Sequence, residues 1–218
     1  IAAVCEAAVL VPDLFRGDPW DPAAPSAGPE YEAWRAAHPA ARAAGDARRA
    51  AEYLRREFNA SALALVGFCY GGGRAIEEAA TAGQINPDVL AVFYPTRYDA
   101  ACFAQLKCPT LGIFGEEDEL GGAKREDAMR MHQLLSENEQ VQDFVVRIFK
   151  GEGHGFAHML PAVSGISETV FEDEESASTS QSSQDAMLLA TAWLDIYLRT
   201  ENPTTGERAK RQRALWED

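Results

Sequence analysis

Cys69 lies in the run Leu63-Ala64-Leu65-Val66-Gly67-Phe68-Cys69-Tyr70-Gly71-Gly72-Gly73, where an apolar segment of strand composition drives into glycines and then into the helix-forming stretch Arg74 to Ala80. A cysteine at such a strand-to-helix turn gains in two ways. The free N–H groups and positive dipole end of the following helix stabilise a thiolate and lower its pKa from the roughly 8.5 of a free thiol. The turn also aims the backbone N–H of the next residue, Tyr70, at the oxyanion that forms when a nucleophile adds to a carbonyl. With serine in place of cysteine the pattern is G-x-S-x-G, a strained elbow whose small flanking residues leave room for strand and helix. The competing reading is an inert, buried cysteine beside a packing turn, since cysteine is among the most buried residue types. The flanking glycines and the strand-to-helix context favour a working thiol.

A thiol nucleophile needs a base, and the sequence holds four histidines. His38 precedes a proline between two predicted helices and His132 falls within a third, so both are expected in solvent. His154 sits between Gly153 and Gly155 and ahead of Phe156, in a loop able to approach the elbow closely, and is the expected base. His158, four residues on, is expected to share its site. For an acid to fix the imidazole tautomer, Asp118 follows Gly115 by three residues at the end of a predicted strand. Glu116, Glu117 and Glu119 crowd the same turn, and an acidic turn cap is the alternative. Nucleophile, acid and histidine, each on a loop after its own strand, is the chain order of an α/β-hydrolase.

The elements that would position these residues follow from the apolar patterning. Strands are predicted over residues 7–12, 63–68, 89–94, 109–115 and 144–149, with Pro12 and Pro95 closing two of them. Helices are predicted over 30–37, 40–58, 74–80, 124–137 and 186–199, and residues 1–6 read as the end of another. In the second of these, Ala47, Ala51, Leu54 and Phe58 recur at helical spacing as a face packed on a sheet. Alternating strands and helices call for an α/β fold, a mainly parallel sheet covered on both faces. The Pro/Gly-rich stretch between Pro12 and Pro29 is a loop, either a plain connection or one wall of a site. Residues 164–184, rich in Ser, Glu, Asp and Thr, are expected to form a mobile surface insertion, and 207–218 a frayed tail or a docked helix.

Composition bounds the function classes. A chain of 218 residues suits a single domain over 1–218. A formal net charge of -14 and a pI near 4.7 argue against nucleic acid or an anionic membrane as a partner. Cys5, Cys69, Cys102 and Cys108 show no C-x-x-C pairing, so a reducing compartment is expected and a zinc site is not. No apolar run approaches the roughly 20 residues needed to span a bilayer. A cytoplasmic location is the corresponding expectation; the oligomeric state is left open, with a monomer favoured.

Val66 to Gly73, Gly115-Glu116-Glu117-Asp118, Gly153-His154-Gly155-Phe156 and Val11-Pro12-Asp13-Leu14-Phe15 together resemble the dienelactone hydrolase family, the carboxymethylenebutenolidase-like α/β-hydrolases, over nearly the whole chain. The resemblance implies a cofactor-free cytosolic hydrolase of small-molecule esters and lactones, with Cys69 as nucleophile, His154 as base and Asp118 as its orienting acid. Tyr31 and Trp34, in a Tyr-x-x-Trp pattern, resemble aromatic residues lining the family's substrate pocket, and Phe156 and His158 are expected beside them.

The resemblance also marks two departures. Members acting on dienelactone hold its carboxylate with two arginines, at whose positions this chain has His158 and Ala27. Neutral or weakly charged acyl substrates are therefore expected. The family also draws a second oxyanion donor and a glutamate from a loop after a strand that would precede Ile1, so the chain is expected to be N-terminally truncated and to turn over poorly alone. Thioester cleavage by the same triad, or a scaffold that kept the elbow and lost catalysis, are the alternatives. A flavodoxin-like amidotransferase, which also sets a cysteine on a strand-to-helix turn, would place histidine before the acid; here the acid comes first.

Overall fold

The computed structural model describes residues 5–21, 23–158 and 181–199. Four apolar runs form strands β1 (Ala64–Phe68), β2 (Val89–Phe93), β3 (Thr110–Gly115) and β4 (Phe144–Phe149). They make one all-parallel sheet in the order β1-β2-β3-β4, with Gly67 beside Val92 and Ile113 beside Arg147 in register. The α-helices that lie wholly within the described residues are α1 (Pro29–Ala37), α2 (Ala40–Glu57), α3 (Tyr70–Ala80), α4 (Arg125–Ser136) and α5 (Gln181–Leu198).

Side chains alternate across a strand, so β2 feeds both layers at once. Leu90 and Val92 pack with Ile76 of α3, Phe103, and Met131 and Leu135 of α4. Val89, Ala91 and Phe93 point the other way, into Ala186, Ala190, Trp193 and Leu194 of α5. All five β2 residues are buried. Each large apolar side chain removed from water there contributes about 1.5–3 kcal/mol, which makes β2 a rigid base for the loop that follows it. Parallel strands also end at the same side of the sheet. The turns after β1, β2, β3 and β4 are thus brought together, although up to 85 residues separate their reacting groups in sequence.

Four expectations are corrected. Residues 7–12 run as irregular chain with Val9 and Val11 exposed, and pair with none of the described strands. A strand is defined by its ladder, and apolar composition without a paired neighbour does not make one. Phe58 lies outside the buried face of α2, because the helix ends at Glu57 and its capping residue turns outward; Ala47, Ala51 and Leu54 do pack inward. His38 is held between Phe15 and Trp34, at ring distances of 5.7 and 4.7 Å, instead of standing in solvent. Helix α5 starts at Gln181, so the last four residues of the 164–184 stretch belong to it; 164–180 and 207–218 lie outside the described residues.

Candidate active site

The elbow is built by close approach. A Cβ on Gly67 would meet the Gly71 carbonyl oxygen at 2.5 Å and the Gly72 Cα at 2.6 Å, so the strand can turn straight into α3 only with glycine there. A Cβ on Gly71 would meet nothing within 4 Å, so the second glycine of the motif is not needed for space. Between them Cys69 takes φ 51° and ψ -121°, a conformation costly for a residue with a side chain. Three backbone hydrogen bonds hold it: Cys69 N–H to Phe93 O at 3.0 Å, and the N–H groups of Gly73 and Thr96 to Cys69 O at 3.2 and 3.0 Å.

The acid and the base arrive on two loops that are tied together. The Glu116 N–H donates to Phe149 O and the Glu117 N–H to Glu152 O, both at 2.9 Å. Asp118 is 4 % exposed and accepts the Leu120 N–H at 2.9 Å on Oδ1. Its neighbours drop out of contention: Glu117 and Glu119 are exposed, and Glu116 pairs with Arg125 at 3.1 Å. The other carboxylate oxygen of Asp118 accepts from His154 Nδ1 at 2.7 Å, and His154 Nε2 lies 3.1 Å from Cys69 Sγ. Because an ionised carboxylate only accepts, Nδ1 carries the proton and Nε2 is turned to the sulfur.

Electrostatics follow from this chain of contacts. Burial opposes ionisation of the Cys69 thiol. The hydrogen bond and charge of His154, the Thr96 hydroxyl and the Tyr70 N–H outweigh burial and lower its pKa below that of an ordinary thiol. For His154, burial likewise opposes the charged form, and the contacts with Cys69 and Asp118 overcome it and raise its pKa. The two shifts agree, and they favour a thiolate–imidazolium pair. Burial pushes the Cys108 thiol the other way, up to about 11. All four cysteines are free thiols, and Cys69 is the one with a base beside it.

Tyr31 and Trp34 stack with ring centroids 5.9 Å apart in a cluster that also holds Trp20. Phe15 joins this cluster to the elbow, lying 5.0 Å from Trp34 and 6.0 Å from the Tyr70 ring. Phe156 is instead buried in the core, against Tyr94 and Phe149. The backbone of His158 closes a short 3-10 turn, Phe156–His158, and its side chain lies outside the described residues.

Three residues that sequence reasoning did not single out also belong here. Tyr94, at φ 35°, sets its ring edgewise to His154 at 5.0 Å. Thr96 places Oγ1 3.8 Å from Cys69 Sγ, and Arg97 donates to the Tyr31 hydroxyl at 2.7 Å. All three sit on the loop after β2, and no motif or spacing marks them. Among the described residues no His, Cys, Asp and Glu cluster is arranged to hold a metal, and no helix is long and apolar enough to cross a membrane.

Comparison with known proteins bears on most of the chain. It is 33% identical over 152 residues to the carboxymethylenebutenolidase homolog of Mus musculus and 32% identical over 151 residues to that of Homo sapiens. In both cases 68% of this chain is covered and 58% of the relative, so the chain spans a little under three fifths of those proteins. A solved Klebsiella pneumoniae structure assigned to the dienelactone hydrolases superposes with a TM-score of 0.57 at 19% identity, over 75% of this chain and 64% of the other. An α/β hydrolase enzyme from a Medee basin deep-sea metagenome library gives 0.50 at 24% identity, over 72% and 65%. These likenesses show the α/β-hydrolase fold. The sequence model of the dienelactone hydrolase family matches residues 8–198, which takes in the elbow, the acid loop and the histidine loop, and the chain belongs to that family.

Proposed function

We propose that this chain hydrolyses small carboxylic esters or lactones through Cys69, His154 and Asp118. The observation that carries the reading is the continuous hydrogen-bonded line from Asp118 through His154 to the sulfur, at 2.7 and 3.1 Å. The Cys69 thiolate attacks the carbonyl carbon, and the Tyr70 N–H meets the developing oxyanion. As the tetrahedral adduct collapses, the C–O bond to the leaving group breaks and His154 Nε2 gives its proton to the alkoxide. A thioester on Cys69 remains. His154, now neutral, takes a proton from water as that water adds to the thioester carbonyl. The second adduct expels the sulfur as thiolate and releases the acid, and Asp118 keeps the imidazole in one tautomer throughout.

Tyr31 and Trp34 form the proposed wall for the acyl or alcohol portion, reached from the elbow across Phe15. No cofactor enters these steps. Cleavage of thioesters would use the same attack, and release of a free thiol from an acyl thioester measures it. The test is hydrolysis of a short-chain nitrophenyl ester by the wild-type chain and by Cys69→Ala. Activity lost in a variant that unfolds as cooperatively as wild type is the expected result, and activity retained would overturn the assignment of the nucleophile.

A further inference from the structure

Thr96 lies one strand away from the elbow, and nothing in its sequence neighbourhood, Tyr94-Pro95-Thr96-Arg97, suggests chemistry. The structure ties it to the sulfur. The residue is buried, at 5 % exposure, and its hydroxyl has Cys69 Sγ at 3.8 Å as its hydrogen-bond partner among the described residues. A buried hydroxyl left without a partner is costly, so this one is directed at the sulfur. Its backbone N–H donates to the Cys69 carbonyl at 3.0 Å, which links the two residues twice. Threonine is also β-branched and stiff about χ1, so its hydroxyl is held in direction as well as in place.

The rest of the elbow is shaped around this loop. A Cβ on Gly72 would meet Pro95 at 3.0 Å, and one on Gly73 would meet the Thr96 carbonyl oxygen at 2.0 Å. The buried guanidinium of Arg74 donates to the Arg97 carbonyl, pairs with Glu77 and lies over the Tyr70 ring at 5.2 Å. Three successive residues after the elbow turn therefore close on residues 95–97. That segment turns sharply, with Tyr94 and Arg97 at φ 35° and 59°.

We propose that Thr96 is a positioning residue for the Cys69 thiolate: its hydroxyl donates to Sγ from a direction separate from the imidazole and fixes the sulfur's aim and charge. The proposal rests on the reading of Cys69 as nucleophile. In the resting pair the sulfur is an anion and accepts from both His154 and Thr96. In the acyl-enzyme it is a neutral thioester sulfur and a poor acceptor. When the second adduct breaks, the C–S electron pair returns to sulfur and the hydroxyl again faces an anion. Thr96 thus favours thiolate formation at rest and thiolate departure during deacylation. The titratable groups facing the sulfur among the described residues are His154 and Tyr94, with Asp118 behind the imidazole.

The test reads the thiol itself. Wild type, Thr96→Val and Thr96→Ser are alkylated with iodoacetamide across about pH 5 to 10, and the Cys69 peptide is followed by mass spectrometry so that the other cysteines do not contribute. Thr96→Val should move the alkylation midpoint up by about 0.5 to 1 pH unit, and Thr96→Ser should restore most of the shift. Thr96→Ala, which also lacks the hydroxyl and cannot overpack, gives the same reading should the valine variant fail to fold. A midpoint unchanged in a folded hydroxyl-free variant would overturn the proposal. Esterase activity surviving in Cys69→Ala would instead overturn the functional reading, with the thiol titration standing independently of it.

Discussion

At the scale of single residues, the contact between His154 and Cys69 is the one on which the proposed reactivity turns. The lowered thiol pKa and the raised imidazole pKa both shift the pair toward its thiolate–imidazolium form. Because the thiol is the lowered group, its alkylation should stay fast as pH falls below that of an ordinary thiol, and decline only on passing its own value. His154→Ala removes the largest contribution opposing burial and leaves only the Thr96 hydroxyl and the Tyr70 N–H against it, so in that variant the onset should move to higher pH. A midpoint that did not move would mean that the imidazole does not set the charge of the sulfur. Asp118→Asn preserves shape and the acceptor for the Leu120 N–H while freeing the imidazole to choose the wrong tautomer. A fall in ester turnover of about a hundredfold or more is expected, with little change in stability, and near-wild-type turnover would remove Asp118 from the proposed triad.

At the scale of elements, β1 and α3 meet so closely that the glycines at their junction are not equivalent. Gly73→Ala would put a methyl 2.0 Å from the Thr96 carbonyl, and backbone on both sides must move. A cost of about 1 to 3 kcal/mol is expected. Gly71→Ala meets open space within a helix and should be close to neutral, within about 0.5 kcal/mol. Thermal unfolding of the pair checks this, and equal costs would show that the close approach at α3 has been misread.

This contrast also separates what is legible in the sequence from what is not. Cys69, Asp118 and His154 are legible because each follows an apolar strand at a turn whose composition is local to it. Thr96, Tyr94 and Arg97 are not, because they matter only through β2 lying beside β1, a fact of sheet order that no spacing records. His38 was misplaced for the same reason, since Phe15 reaches it from a segment more than twenty residues away. The start of α5 is hidden because Gln181 to Asp185 is polar, although Ser183 is buried there. Residues 7–12 have strand composition and no strand, which is a property of their surroundings.

At the scale of the molecule, the formal net charge of -14 bears on which substrates approach. A negative field slows anions over about a Debye length, roughly 10 Å at 0.1 M salt. The positions where the family's arginines would stand hold Ala27 and His158, while Arg97 offers a guanidinium already engaged by Tyr31. For matched esters with and without a free carboxylate, kcat/KM should favour the neutral one. The carboxylate-bearing ester should gain as salt is raised and the neutral one should not. Preference for the carboxylate at low salt would mean that Arg97 leaves Tyr31 to bind it and that the local cation outweighs the global field.

The proposed mechanism requires that the substrate's carbonyl carbon become covalently bonded to the Cys69 sulfur. Rapid acid quenching of the protein with a slowly deacylating nitrophenyl ester, followed by peptide mass spectrometry, looks for that bond directly. One acyl group per chain is expected, on the peptide containing Cys69, formed at the rate of the first nitrophenol release and lost at the rate of steady turnover. Acylation at another residue, or steady turnover with Cys69 free throughout, would contradict it.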